Sequence, residues 1–188
     1  PIATRQQLDL MYGSLLGDAS ITENAFSVTH SIKQVEWVSW KQRALSGLCP
    51  NWFDSDTEYS HSDDPKFVCL NGQRRKARCL YVSQPQMARE MYSACIDAKT
   101  GKKRVTREWL DQVGDLGIVV WLLDDGSITN RAKKAGQIHL TGNIATHGFA
   151  REQTQLLVEW LSERMGAPCA MNTVGAINLS VALCRKLI

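Results

Sequence analysis

The chain has 188 residues, 44% hydrophobic and 22% charged, an ordinary globular balance with room for one compact domain or two small fused halves. No apolar run is long enough to span a bilayer and no basic-then-apolar leader opens the sequence, so neither a helical membrane span nor a signal peptide is expected. The expectation is an intracellular protein, with cytoplasm, nucleoid and organelle not distinguished. Net charge is only +3, yet more than half of the 22 basic residues fall in three clusters (Arg74, Arg75, Lys76, Arg78; Lys99, Lys102, Lys103, Arg104, Arg107; Arg131, Lys133, Lys134), a segregation that suits a polyanion.

Residues 6–17 read as a helix carrying Leu8, Leu10, Met11, Leu15 and Leu16. Residues 26–33 alternate, with Phe26, Val28 and Ile32 opposite Ser27, Thr29, Ser31 and Lys33, the period of a half-buried strand. His30 falls on the apolar side of that strand and reads as a core histidine. A tryptophan-bearing helix follows over 34–48, and the Asp/Ser-rich stretch 54–65 reads as a loop. Strands are expected near 66–70 and 76–82, with Arg74, Lys76 and Arg78 on one face of the second. Ser83 and Pro85 open a helix reaching to about residue 98, and a Lys-rich turn at Gly101 leads to a short helix opened by Thr106.

The pattern then recurs. An apolar helix over 116–124 ends in Asp124-Asp125-Gly126. An alternating strand at 137–143 sets Gln137, His139, Thr141 and Asn143 opposite Ile138 and Leu140. An amphipathic helix over 151–165 stops at Gly166 and Pro168, and a hairpin turning at Gly175 fills 170–181. This repetition predicts two related halves, residues 1–105 and 106–188, about an approximate two-fold axis. The six cysteines show no C-x-x-C pair and read as buried reduced thiols rather than a zinc site. Five of the six tryptophans fall on predicted helices and read as core.

Each repeat opens with an apolar helix ending in an acid and then a small residue: Met11-Tyr-Gly-Ser-Leu-Leu-Gly-Asp18-Ala19 and Ile118-Val-Val-Trp-Leu-Leu-Asp-Asp125-Gly126. Gly13, Ser14 and Gly17 let another helix backbone come close, which would bring Asp18 and Asp125 together. Two carboxylates at helix C-termini resist ionisation, and a divalent cation such as Mg²⁺, which favours hard oxygen ligands, relieves that cost.

The segments MYGSLLGDAS and VVWLLDDGS resemble the paired signature motifs of the monomeric, two-motif LAGLIDADG homing endonucleases. GKKRVT and IHLTGNIATHGFAREQTQLLVEWL resemble the linker and the post-motif strand and helix of the same family. The resemblance implies an α+β fold of two pseudo-symmetric αββαββα halves joined through the paired motif helices, with saddle-shaped antiparallel sheets that bind DNA. It implies a site-specific endonuclease that makes a double-strand break in a long asymmetric target by metal-dependent hydrolysis, leaving 3′ overhangs, in intron or intein homing. An RNA-binding intron maturase on the same scaffold is the alternative. The partner is double-stranded DNA, the chain acts as a monomer without a protein partner, and Mg²⁺ is the cofactor, with Mn²⁺ able to substitute.

Residue by residue, Asp18 and Asp125 match the family's metal-binding catalytic acids, and Gly17 and Asp124 sit beside them, Asp124 with its backbone rather than its side chain towards the site. Lys103 matches the basic residue near a scissile phosphate, with Lys102 as its neighbouring candidate. The resemblance also expects a further helix and turn, bearing a second basic residue, after the last strand. Arg185 and Lys186 lie too early to replace it before Ile188, so either the chain is truncated or one strand is cut with less assistance. The absence of Met before Pro1 likewise suggests trimming. Ser27, Thr29, Ser31, Lys33, Arg74, Lys76, Arg78, Gln137, His139, Thr141 and Asn143 are the candidates for base edges. Arg75, Arg131, Lys133 and Lys134 are those for phosphates.

Overall fold

A computed structural model describes residues 2–58, 72–132 and 138–187. Helix α1, Arg5–Leu16, is opened by a capping box: the Thr4 hydroxyl accepts from the Gln7 backbone N–H while the Gln7 side chain accepts from the Thr4 N–H. Strands β1 (Ala19–Ile21) and β2 (Phe26–Ser31), helix α2 (Val35–Ala44), strands β3 (Asn51–Glu58) and β4 (Arg74–Val82) and helix α3 (Pro85–Cys95) complete one unit. A short helix α4, Arg107–Leu110, capped by Thr106, leads to α5 (Asp115–Asp125). From there the order repeats through β5 (Gly126–Ala132), β6 (Ile138–Ile144), α6 (Arg151–Met165), β7 (Cys169–Met171), β8 (Ile177–Leu179) and α7 (Val181–Leu187). The two four-stranded antiparallel sheets have the same topology, β1-β2-β4-β3 and β5-β6-β8-β7. The expected αββαββα pattern is therefore present twice. Among the described residues no helix is long and apolar enough to cross a membrane.

The units meet where α1 crosses α5. A Cβ on Gly13 would lie 2.3 Å from the Gly117 carbonyl oxygen and 2.4 Å from its Cα, so the two backbones touch directly. Only glycine on both helices permits this approach. Asp9 of α1 reaches across the same seam. Its Oδ1 accepts the backbone N–H groups of Gly114 at 2.6 Å and Gly117 at 2.9 Å, capping the start of α5 from the neighbouring helix. Leu10, Met11, Leu15 and Leu16 from one helix and Ile118, Val120 and Trp121 from the other are buried around this contact, as is Trp109 of α4.

Several expectations are corrected. Residues 54–58, expected to begin a loop, belong to strand β3, because their acids find basic partners on β4. Arg78 binds both carboxylate oxygens of Asp54, at 2.7 and 2.9 Å, and Arg74 Nε binds Asp56 at 2.9 Å. Strand β2 ends at Ser31, and Lys33 lies in a 3-10 turn, Ile32–Gln34. A helix, α7, does follow the last strand, and Lys186 on it donates to the Met165 carbonyl at the end of α6. Cys95 and Cys184 are buried, but Cys49 is exposed, at a left-handed φ of 52°. The strand expected at 66–70, together with Lys133, Lys134 and Gln137, lies outside the described residues.

Register also divides the expected DNA-reading residues of the first sheet. Ser27, Thr29 and Ser31 pair with Tyr81, Cys79 and Ala77, and the same face continues to Arg75. His30 pairs with Arg78, so Arg74, Lys76 and Arg78 share the opposite face with Leu80 and Val82. Side chains alternate strictly along an antiparallel ladder, and one surface cannot hold both sets. In the second sheet Ser127, Thr129, Thr141 and Asn143 share one exposed face with Asn178, and the pairing runs on through Arg131 with His139.

Candidate active site at the helix crossing

The crossing of α1 and α5 carries their C-terminal ends to one place, with Asp18 just past α1 and Asp124 and Asp125 closing α5. At Gly17 an added Cβ would meet the Asp124 Cβ at 2.6 Å, so the ends of the two motifs are in contact. Lys103 enters from the segment before α4, held by a bridge between Ile96 and Lys103, and its Nζ donates to the Gly17 carbonyl at 2.9 Å. The neighbouring candidate Lys102 is exposed, its backbone carbonyl accepting from Asp97.

Electrostatics follow from this crowding. Burial raises the Asp125 carboxyl to about 6, and the negative charges of Asp18 and Asp124 push the same way, while Lys103 and His30 oppose the shift. Burial lowers the Lys103 ammonium below its ordinary value, and Asp125 and Asp18 pull it back up. The site thus holds acids that repel one another and a lysine that only partly compensates them.

Asp124, expected to turn its backbone rather than its side chain towards the site, has that side chain held by α2. Its carboxylate is fully buried, with both oxygens 2.8 Å from Lys41 Nζ, and Oδ1 also accepts from Trp37 Nε1 at 2.8 Å. Lys41 and Trp37 come from α2, so this ion pair joins the first unit to the second motif. Trp37 stacks on Trp40, and Lys41 Nζ lies 4.9 Å from the Trp37 ring centre. Burial lowers the Lys41 ammonium and its partner Asp124 opposes that shift.

His30 is buried as expected, but among polar groups rather than in an apolar core. Its Nδ1 stands 3.2 Å from Asp18 Oδ2, and its Nε2 stands 3.4 Å from Lys41 Nζ and 3.5 Å from Asp124 Oδ1. The Asp18 side chain keeps 40% exposure, against 1% for His30. Ligand atoms of Asp18, His30 and Asp124 lie within 4.8 Å of one another, a spacing that could hold a cation. Lys41 already occupies both Asp124 oxygens, however, and a second cation there would displace a buried ammonium. Asp18 and Asp125 are the acids left to offer oxygen ligands.

Sequence reasoning missed Lys41 and Trp37. The signal was present: Lys41 falls in the stripe Val38, Lys41, Leu45, Leu48, and all four are buried. A lysine in an apolar stripe needs a buried partner.

Comparison with known proteins bears on the whole arrangement. The profile described as the LAGLIDADG DNA endonuclease family matches residues 8–184. Similar segments occur in proteins named Protein RecA. That of Mycolicibacterium flavescens is 26% identical over 135 residues, which is 68% of this chain and 27% of that protein. Those of Mycobacterium shimoidei (25% over 187 residues, 94% and 40%) and Mycolicibacterium fallax (22% over 182 residues, 91% and 39%) extend further. The chain thus spans about a quarter to two fifths of the length of these relatives. Among solved structures, the homing endonuclease I-WcaI bound to its DNA recognition sequence superposes with a TM-score of 0.72 at 15% identity, covering 100% of this chain and 82% of that one. That likeness establishes a common fold.

Proposed function

Because the chain belongs to the LAGLIDADG DNA endonuclease family, we propose that it is a homing-type endonuclease that makes a double-strand break in a long asymmetric DNA site by divalent-metal-dependent hydrolysis, leaving 3′ overhangs. The observation that carries this reading is the convergence of Asp18, Asp125 and Lys103 at the crossing of α1 and α5, with Asp125 raised to about 6 by burial and by its neighbouring acids. Acids forced together at this cost fit a cation. Asp18 and Asp125 would hold it, with the Gly17 and Asp124 backbone carbonyls beside them. Bound there, Mg²⁺ or Mn²⁺ supplies Lewis-acid polarisation of the scissile phosphodiester.

The chain's own residues do the rest. Lys103 is fixed at the Gly17 carbonyl, and there its ammonium offsets charge developing on the phosphate. The sheet faces carrying the half-buried Ser27, Thr29 and Ser31 with exposed Arg75 in one half, and the exposed Ser127, Thr129, Thr141, Asn143 and Asn178 in the other, lie along the major groove, where alternate side chains reach base edges or phosphates. The two faces differ in sequence, so one monomer reads two different half-sites, with residues 1–105 and 106–188 each serving one. Lys33, Arg131, Lys133, Lys134, Gln137 and His139 remain candidates for DNA contacts on their sequence alone. Arg74, Lys76 and Arg78 lie on the other side of the first sheet, where Arg74 and Arg78 hold Asp56 and Asp54, and do not join the groove-reading set.

The reading is tested by incubating the purified chain with Mg²⁺ and a plasmid library bearing randomised inserts, then sequencing the ends of linearised molecules. A single enriched asymmetric site with staggered 3′ ends is expected. Intact plasmid throughout, or random breakage, contradicts the reading.

A further inference from the structure

Strand β3 lies at the edge of the first sheet, and alternation sends its side chains to opposite sides. Asp54 and Asp56 turn to the side where Arg78 and Arg74 hold them. Trp52 turns there too, with Arg78 Cζ 4.1 Å from its ring centre. Phe53 turns to the other side, in one row with Cys79 and Thr29. That side carries the exposed Arg75 and, among its strand residues with described side chains, no acid, so a polyanion meets it without repulsion. A lone exposed ring is ordinary on a protein surface, and this one is distinguished by its place. It is 52% exposed between Asn51 and Ser55 on its strand, and Tyr81 leans on it with ring centres 6.2 Å apart and planes at 56°.

The chemistry of the groove gives that ring a target. A hydroxyl donates or accepts at any base edge, whereas the 5-methyl group of thymine is the apolar feature among the major-groove edges of the four bases. We propose that Phe53 is a specificity-determining residue whose ring, braced by Tyr81, contacts the 5-methyl group of a thymine in the half-site bound by the first unit. Contact removes apolar surface of both groups from water, and a cytosine or guanine at that position sets polar atoms against the ring instead. The ring adds no charge, so it sets sequence preference while Arg75 on the same face sets attraction to phosphate. This inference rests on the reading that this face enters the major groove, and its test separates the two.

The site recovered from the randomised library is resynthesised with each thymine replaced singly by deoxyuridine, which removes the methyl group and keeps every hydrogen-bonding atom. Fluorescence anisotropy with the full chain then compares affinities. Wild type should bind about fourfold more weakly when one particular thymine of one half-site is replaced, the effect of one buried methyl group. At that position a 5-methylcytosine–guanine pair should bind about fourfold more tightly than a cytosine–guanine pair. Phe53→Ser, a change at an exposed edge position, should bind the thymine and deoxyuridine sites equally and keep the salt slope of wild type. The wild-type scan needs no variant. Indifference of wild type to every thymine methyl, or the same deoxyuridine penalty in Phe53→Ser as in wild type, would each overturn the inference. Equal affinity of wild type for all sequences would overturn the groove reading itself.

Discussion

Replacing Asp125 by asparagine should stabilise the metal-free protein at neutral pH while it removes the carboxylate that the proposed chemistry needs. The Asp125 carboxyl is raised from 3.8 to about 6, chiefly by burial and then by the charges of Asp18 and Asp124. A shift of about two units corresponds to a ceiling of roughly 3 kcal/mol, and the partial exposure of the site reduces this to about 1–2 kcal/mol. The sign follows from linkage. With the folded value above the unfolded one, the protonated acid costs nothing below about pH 4, and the ionic cost develops as pH rises through about 6. Asparagine never carries that cost. For a chain of this size each kcal/mol moves the melting temperature by about 2–4 °C, so Asp125→Asn should melt roughly 2–8 °C above wild type at pH 7.5 in EDTA. The gap should close by about pH 4. Thermal melts across that range, in EDTA throughout, are the assay. A variant that melts at or below wild type at pH 7.5, or a gain that persists unchanged in acid, would refute the reasoning.

The helix seam and the sheet face yield further expectations. Gly13→Ala drives a methyl group to 2.3 Å from the Gly117 carbonyl oxygen and should cost more than about 3 kcal/mol in urea unfolding, because backbone cannot give way as a side chain can. Asp9→Ala removes both charge-assisted bonds to the start of α5 and should cost about 2–4 kcal/mol in the same assay, with Asp9→Asn milder because its amide oxygen can still accept. On the first sheet, Arg75→Ala should weaken binding to random duplex DNA and reduce the salt slope by about one, as loss of one phosphate contact does. Arg78→Ala, on the opposite face and paired with Asp54, should leave that slope unchanged in fluorescence anisotropy.

Much of the architecture was legible because it rests on strong periodicity and on unambiguous stop signals. Helix α6 runs over Arg151–Met165 as the pattern indicates, ending at Gly166, whose left-handed φ of 57° halts it. Gly13 and Ser14 announced a close helix approach, and Gly117 supplies its other side. Strand β3 was hidden because Asp and Ser disfavour strands locally, and only cross-strand partners on β4, distant in sequence, compensate them. The separation of Arg75 from Arg74, Lys76 and Arg78 needed register, since alternation within one strand does not say which of its faces matches a face of another. His30 and Lys41 were hidden for a related reason. Their parity and helical spacing place them inside, but the acids they meet lie on other elements, and Asp124 comes from the opposite half.

The central claim is that Asp18 and Asp125 together form a cation-dependent phosphodiesterase centre. Its most direct measurement is cleavage of the selected DNA site by wild type, Asp18→Asn and Asp125→Asn in Mg²⁺ and in EDTA, with binding to the same duplex measured in parallel. Cutting by wild type in Mg²⁺ only, with both variants binding the site but leaving both strands intact, is the predicted result. Cleavage in EDTA, or by either variant at the wild-type rate, would contradict the account.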